Sequence, residues 1–238
     1  MNVMRIAMIS GGRRGIGFAI ASELQKRGFA LSLGMRTPCA LPAGLSGSNV
    51  LVCEYDALDK GAEQRWVDQT IAHFGRIDVL VNSAGILEEV TFDIGANGVD
   101  ADDEVLSRLL DVNVKAPFRL IRSALPYLKL SGEGRVINLA SLSGKRVLGV
   151  NVGYQMSKHA IVALSHAVRR AGWDNGVRAT ALCPGFVATD MTTGLGVMDA
   201  GHMTSVDDLA HLAATVIMLP NNASVAELTV NCRYESML

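Results

Sequence analysis

Between Arg5 and Asn231 the chain repeats one form of organisation, in which a short and nearly unbroken apolar run leads into a segment with apolar residues at helical spacing. The runs are Arg5–Ile9, Ala30–Met35, Asn49–Tyr55, Ile77–Val81, Arg135–Leu139, Val177–Cys183 and Glu227–Asn231. The helical segments are Ile16–Arg27, Ala62–Phe74, Asp102–Leu130, Tyr154–Gly172 and Val206–Leu219. Ile16, Ile20 and Leu24 share one face of the first. Val67, Ile71 and Phe74 share one face of the second, which Gly75 stops. A strand that is apolar on both sides must be covered on both faces. A helix between two strands carries the chain back across the sheet, so the strands run parallel. Right-handed crossovers then give an α/β fold, a doubly wound, seven-stranded, parallel Rossmann-type sheet in three αβα layers. At 238 residues and 49% hydrophobic, residues 1–238 suffice for one such core as a single domain, and no linker, repeat or low-complexity tract divides them.

Charge and cysteine usage exclude several classes. A formal net charge of −1 gives no footprint for nucleic acid or an anionic membrane. Cys39, Cys53, Cys183 and Cys232 are scattered without a CxxC pair, which reads as free thiols in a reducing compartment rather than a disulfide framework. The apolar run Val3–Ile9 is broken by Arg5, is too short to span a membrane and lacks a signal-peptide layout. A cytoplasmic location is the expectation. Asp102, Asp103 and Glu104 read as acids at a helix start, where they suit the dipole, and no metal site is expected.

The segment SGGRRGIG, Ser10 to Gly17, lies where the first strand meets the first helix. Glycine lets the backbone turn tightly and approach a ligand without a Cβ in the way. The helix start then presents N–H groups and a positive dipole end to a pyrophosphate. The spacing is Gly11-x-x-x-Gly15-x-Gly17, not the commoner GxGxxG.

Further short segments follow in order: Asp56 and Ala57 in EYDALD, NSAG at Asn82–Gly85, Asn113 in DVNVKAPF, Ser141 in NLASLSG, Tyr154 and Lys158 in YQMSK, and PGFVATDM at Pro184–Met191. Together with the glycine turn this series resembles the short-chain dehydrogenase/reductase family over nearly the whole chain. Ser10 stands for the family's usual threonine and Ser83 for an asparagine. The C-terminal TVNCRYESML departs from the family's DGG-type ending, which puts a subunit contact there in doubt. The resemblance implies a catalytic set of Asn113, Ser141, Tyr154 and Lys158. It implies a cofactor site of Ser10, Gly11, Arg14, Gly15, Ile16, Gly17, Arg36, Asp56, Ala57, Asn82, Ala84, Gly85, Tyr154, Lys158, Pro184, Gly185, Val187 and Thr189. Asp56 would meet the adenine amino group, and the segment after Pro184 the nicotinamide carboxamide.

The chemistry needs these residue types. Tyr154 and Lys158 are four apart on one helix face. A free tyrosine with a pKa of about 10 is a poor base, and a nearby ammonium is expected to lower it. Tyr154 would then act as general acid or base, Ser141 would donate to the same substrate oxygen, and the cofactor would carry the hydride. By resemblance Lys158 also holds the nicotinamide ribose. His159 and His166 on the same helix have no part in this scheme and read as packing or surface residues.

In ALSLGMR, Met35 falls where NAD-dependent members of the family carry an acid, so no carboxylate repels a 2′-phosphate. Arg14 and Arg36 can flank one, Arg13 is read as a solvated neighbour, and the expected preference is NADP(H) over NAD(H). Leu142, Val147, Leu148 and Val150 are expected to wall a pocket. Phe186, Met191, Leu195, Met198 and Met203, with Gly194, Gly196 and Gly201, are expected to form an apolar lid over it. A small or medium lipophilic carbonyl or alcohol fits such a pocket better than a charged substrate.

One alternative is a 3-oxoacyl-acyl-carrier-protein reductase. Gly132 and Asn175 fall where such enzymes place basic docking residues, with Lys129, Arg169 and Arg170 nearby as substitutes. Another is a non-catalytic NADP(H)-binding sensor, which would be expected to lose Tyr154, Lys158 or Ser141. The resemblance also implies a homo-oligomer, a tetramer or dimer, paired through the helices holding Leu109, Val112, Leu120 and Leu125, and Ile161, Leu164 and Val168. Finally, Pro117 has no N–H to give the Asn113 carbonyl four residues before it. Either Pro117 simply starts a second helical segment, or the helix bends and leaves that carbonyl open, where the resemblance implies a water beside Lys158.

Overall fold

The structure is a computed structural model and describes residues 4–38, 43–45, 47–92, 99–193, 195–196 and 198–235. Cys39 and Gly194 lie outside these residues. The strands are β1 (Ile6–Ser10), β2 (Ala30–Met35), β3 (Val50–Glu54), β4 (Val79–Asn82), β5 (Arg135–Leu139), β6 (Arg178–Pro184) and β7 (Glu227–Val230). The helices are α1 (Gly15–Lys26), α2 (Ala62–Phe74), α3 (Val99–Leu110), α4 (Ala116–Leu130), α5 (Val152–Gly172), α6 (Asp190–Thr193) and α7 (Val206–Met218). All seven strands pair in parallel, in the order β3-β2-β1-β4-β5-β6-β7. The order reverses between β1 and β4, which opens a crevice at their carboxyl ends, where ligands of such sheets bind.

Strand side chains alternate between two cores. Ala7 and Ile9, Leu31 and Leu33, Val79 and Val81, and Ile137 and Leu139 pack toward Ile20, Leu24, Leu209 and Ile217 of α1 and α7. Met8, Leu80 and Val136 point the other way, toward Trp66, Leu120, Leu128 and Val168 of α2, α4 and α5. Each such leucine or isoleucine contributes roughly 1.5–3 kcal/mol by leaving water. Trp66 is wholly buried, and its Nε1 donates to Ser32 Oγ at 2.8 Å. A Cβ on Gly34 would stand 2.7 Å from the Trp66 ring, so glycine is required there. The other tryptophan, Trp173, is 43% exposed beyond α5, with the Arg178 guanidinium 3.7 Å from its ring centroid.

Two expectations change. The single long helix of Asp102–Leu130 begins earlier, at Val99, and is interrupted by a π turn at Asp111–Lys115, closed by the Ala116 N–H donating to the Asp111 carbonyl. Pro117 follows in the first turn of α4. The second change concerns the paired helices. Leu109, Val112, Leu120, Ile161 and Val168 are buried in the chain's own core, and Leu125 and Leu164 pack partly against it. A more exposed strip lies one step further round, where Val114, Phe118, Ala160, Ala163, Leu164 and Ala167, with Lys115, line one shallow depression. Among the described residues no helix is long and apolar enough to cross a membrane.

Candidate active site

The turn after β1 is built for close approach of backbones. Gly11 and Gly15 have φ of +70° and +58°, in the left-handed region that favours glycine. A Cβ on Gly11 would meet Ala84 N at 3.0 Å, and one on Gly17 would meet the Gly11 carbonyl oxygen at 2.5 Å. Ser10 Oγ accepts the N–H groups of Ser83 and Ala84 at 3.1 and 3.2 Å, so it joins the β1 and β4 turns. That use was not legible in the sequence, which placed Ser10 only among cofactor contacts. Ile16 packs against the core beneath the turn. At the head of α1, Arg14 occupies the cap position and offers no side-chain cap, so the first N–H groups of a twelve-residue helix face the crevice without one. Asn82 gives its amide to Asn138 Oδ1 at 2.7 Å, while its own Oδ1 is buried without a partner among the described residues. A glycine-lined cradle, an uncapped helix start and an orphan acceptor together fit a dinucleotide.

The flanking residues are placed as follows. Asp56 Oδ1 accepts the Leu58 N–H at 2.9 Å, and the carbonyl of buried Ala57 accepts from Arg119 at 2.7 Å. Arg36 is exposed at the end of β2, with no ion-pair partner among the described residues. Arg14 is engaged: its Nη1 stands 2.8 Å from Asp190 Oδ2, both side chains well exposed, so the turn and the start of α6 are bridged. Val187 turns its side chain into the core, which leaves only its backbone for a cofactor. Its carbonyl accepts the Thr192 hydroxyl, and Thr189 N–H donates to Thr192 Oγ1 at 3.2 Å.

At the carboxyl end of β5 four expected residues converge. Lys158 is buried, and its Nζ donates to the Leu139 carbonyl at 2.8 Å. It lies 5.5 Å from the centre of the Tyr154 ring. Burial pushes Tyr154 up to about 12, against a hydrogen bond with Ser141 that works the other way. Burial also pulls Lys158 down to about 8. The tyrosine thus moves opposite to the expected lowering by the ammonium: removal from water raises Tyr154 and lowers Lys158, and both groups are driven toward their neutral forms. Ser141 opens a short turn at Leu142–Gly144, its Oγ accepting the Ser143 N–H at 3.1 Å. Asn113, also buried, clasps both backbone groups of Ile86 at 2.9 Å and donates to Ser157 Oγ at 3.2 Å. It also lies against Gly85, where a Cβ would stand 3.2 Å from Asn113 Oδ1.

The segment from Ser141 to Asn151 is held by residues the sequence reading passed over. Gln155, buried beside Tyr154, accepts the Leu148 N–H at 2.8 Å and donates to the Asn151 carbonyl at 2.9 Å. Asn151 caps α5 by accepting the Tyr154 N–H at 3.1 Å. Lys145 pairs with Glu227, whose other oxygen meets His166 Nε2 at 2.6 Å. Arg146 pairs with Glu235 through two bonds of 2.8 and 2.7 Å. Of the expected pocket walls, Val147, Leu148 and Val150 are exposed, whereas Leu142 is buried in the core. Of the expected lid, Met191 and Leu195 are exposed and Met203 is buried. An asparagine three residues before Tyr154 was a legible cap signal. The Glu235 contact, from the far end of the chain, had none.

Known proteins share the fold and the sequence family. The sequence pattern of the family described as short chain dehydrogenase matches residues 5–200. The chain is 39% identical over 234 residues to an agropine synthesis reductase of Rhizobium rhizogenes, which covers 98% of this chain and 53% of that protein. It thus spans about half the length of that curated relative. A solved short-chain dehydrogenase/reductase from Serratia marcescens superposes with a TM-score of 0.81 at 28% identity, covering 97% of this chain and 98% of that one. The fold is shared with ElxO with NADP bound, at a TM-score of 0.84 and 21% identity, covering 96% and 98% of the two chains. A glycine turn at the sheet's switch point, the convergence of Ser141, Tyr154 and Lys158 at the end of β5, and a family pattern over most of the sequence lead to one conclusion: the chain belongs to the short-chain dehydrogenase family.

Proposed function

We propose that the chain is an NADP(H)-dependent oxidoreductase that reduces a carbonyl, with Tyr154 as the general acid. The observation that carries this reading is the convergence at the end of β5: Tyr154 hydrogen-bonds Ser141, and Lys158 Nζ lies 5.5 Å from the Tyr154 ring centre while it donates to the Leu139 carbonyl. The reductase name of the Rhizobium relative and the NADP bound to ElxO support the same direction and cofactor.

The cradle of Gly11, Gly15 and Gly17 with the head of α1 would take the pyrophosphate, and Asn82, Ala84 and Gly85 would lie along the same crevice. Arg36, and Arg14 once it exchanges Asp190 for phosphate, would hold the 2′-phosphate. Pro184, Gly185, Val187 and Thr189 would meet the nicotinamide end through backbone and hydroxyl groups. When bound, the nicotinamide gives a hydride in reduction and takes one in oxidation. Ser141 donates to the substrate oxygen, and Tyr154 transfers its phenolic proton to that oxygen as the alcohol forms. Lys158, with a pKa of about 8, is still mostly protonated at pH 7 and stabilises the phenolate left behind. The Asn113 carbonyl, which can receive no N–H from Pro117, is the acceptor we assign to a water that returns a proton from solvent through Lys158. Oxidation runs these steps backward and needs the phenolate, so it should quicken as pH rises.

A panel of aldehydes, ketones and 3-oxoacyl thioesters, followed by loss of NADPH absorbance, tests the reading. Turnover of any carbonyl with tighter binding of NADPH than NADH is expected. NADPH binding without turnover across the panel would instead favour a cofactor-binding sensor.

A further inference from the structure

The C-terminal segment carries charges that no motif accounts for. β7 pairs with β6 in the register Pro184↔Val230, so the residues after Val230 emerge at the carboxyl edge of the sheet, beside the site. There they touch the expected cofactor segment, the expected lid and the stretch after Ser141. Asn231 lies so close to Gly185 that a Cβ there would stand 2.4 Å from Asn231 Oδ1. Cys232 Sγ is 3.9 Å from Met198 Sδ, on the lid. Glu235 holds Arg146, five residues after Ser141. Between them, the Arg233 guanidinium lies 5.4 Å from the centre of the Phe186 ring.

The charge count at this edge is uneven. Lys145 is neutralised by Glu227, Arg146 by both oxygens of Glu235, and Arg14 by Asp190. Arg233 is exposed and has no ion-pair or hydrogen-bond partner among the described residues. Glu235 is closest in sequence and feels its charge, but both its oxygens are already taken by Arg146. A guanidinium stacked on an aromatic face is held in place while its donor edge stays free, and that edge matches a carboxylate with two parallel bonds.

We propose that Arg233 is a specificity-determining residue that recognises a carboxylate on the substrate, so that the preferred substrates are oxo acids rather than neutral lipophilic carbonyls. This deepens the carbonyl-reductase reading and rests on it. It also reverses the expectation of an uncharged pocket, because the charge arrives from the chain's far end rather than from the walls next to the motifs.

Two measurements on the whole chain decide the matter. The first compares kcat/KM for a 3-oxo acid and its methyl ester with NADPH as reductant. A preference of about ten-fold or more for the acid is expected, of the size one charge-assisted contact gives. It should fall to near parity in Arg233→Gln and be partly kept in Arg233→Lys, with the NADPH dissociation constant unmoved. The second titrates a saturated monocarboxylate and its primary amide into the NADP-loaded protein, which needs no turnover. Tighter binding of the carboxylate, lost in Arg233→Gln, is expected. Equal treatment of acid and ester, equal binding of carboxylate and amide, or a preference that survives Arg233→Gln would overturn the assignment. Failure to reduce any carbonyl would count against the reductase reading, while the binding comparison would still decide the role of Arg233.

Discussion

At Lys158 the demands of folding and of chemistry conflict. It is buried, with one carbonyl partner, and its pKa falls from 10.5 to about 8. Between those values the unfolded chain binds more protons than the folded one, so the side chain costs stability below pH 8 and the cost is relieved as pH rises toward 10.5. At about 1.4 kcal/mol per pH unit the cost is about 3 kcal/mol, at the upper end of the roughly 1.5–3 kcal/mol of a hydrogen bond made by a charged group. Lys158→Met is therefore expected to melt several degrees higher than the parent at pH 7 and to lose turnover. The gap in melting temperature should narrow by pH 9.5; a variant less stable at pH 7 would contradict the account. Tyr154 has the opposite sign: its raised pKa favours the folded state at low pH, and that contribution is lost as pH climbs from 10 toward 12. Tyr154→Phe should cut carbonyl reduction by about 10²–10⁴-fold while NADPH binding, followed by fluorescence, is unchanged. The tyrosine, the lysine and their spacing were legible in five letters of sequence. Their proton affinities were not, because burial depends on α5 packing against β5, and no local pattern encodes that.

At the scale of elements, most boundaries followed from apolar periodicity and glycine stops. Ala30–Met35, Ala62–Phe74 and Arg135–Leu139 coincide with their expected ends. The exception is the segment around Asn113. A proline there warned of a disturbance, but the π turn that results is set by where Asn113 must point, to the Ile86 backbone and Ser157 on α5. Such an insertion turns one side chain out of the helical register, a requirement of tertiary packing. Asn113→Ala would leave partly buried backbone groups of Ile86 without their partner and should lower stability by about 1–2 kcal/mol, measured by urea unfolding. Pro117→Ala restores an N–H that can close a regular turn onto the Asn113 carbonyl. Slower turnover with an unchanged NADPH dissociation constant is expected, and full activity would remove that carbonyl from the proton path.

For the whole molecule, a doubly wound parallel sheet of seven strands was legible from the alternation of runs and the right-handed crossover rule, while the order of the strands comes from the structure. The contacts of the residues after β7 with Arg146, Gly185, Phe186 and Met198 were not legible, because no local pattern encodes them. Two predictions belong at this scale. Replacing Arg14 and Arg36 together by alanine should erase an NADPH preference of roughly ten- to hundred-fold over NADH in titrations of both cofactors. The lower end is favoured because both arginines are exposed. The apolar strip of Val114, Phe118 and Ala163 is expected to be covered by a second copy of the chain. Phe118→Glu should then shift the mass seen by light scattering to that of one chain, and a parent that is already a monomer would refute the pairing. The two tryptophans offer a way to watch these events. Trp66 is sealed beneath Gly34, near the crevice, while Trp173 sits half in water beyond α5 under an arginine. Trp66 should emit at short wavelength, resist acrylamide and lie within energy-transfer range of a bound reduced nicotinamide. Trp173 should emit to the red and be quenched readily, so one emission spectrum reports cofactor capture and loosening of the opposite edge as separate signals.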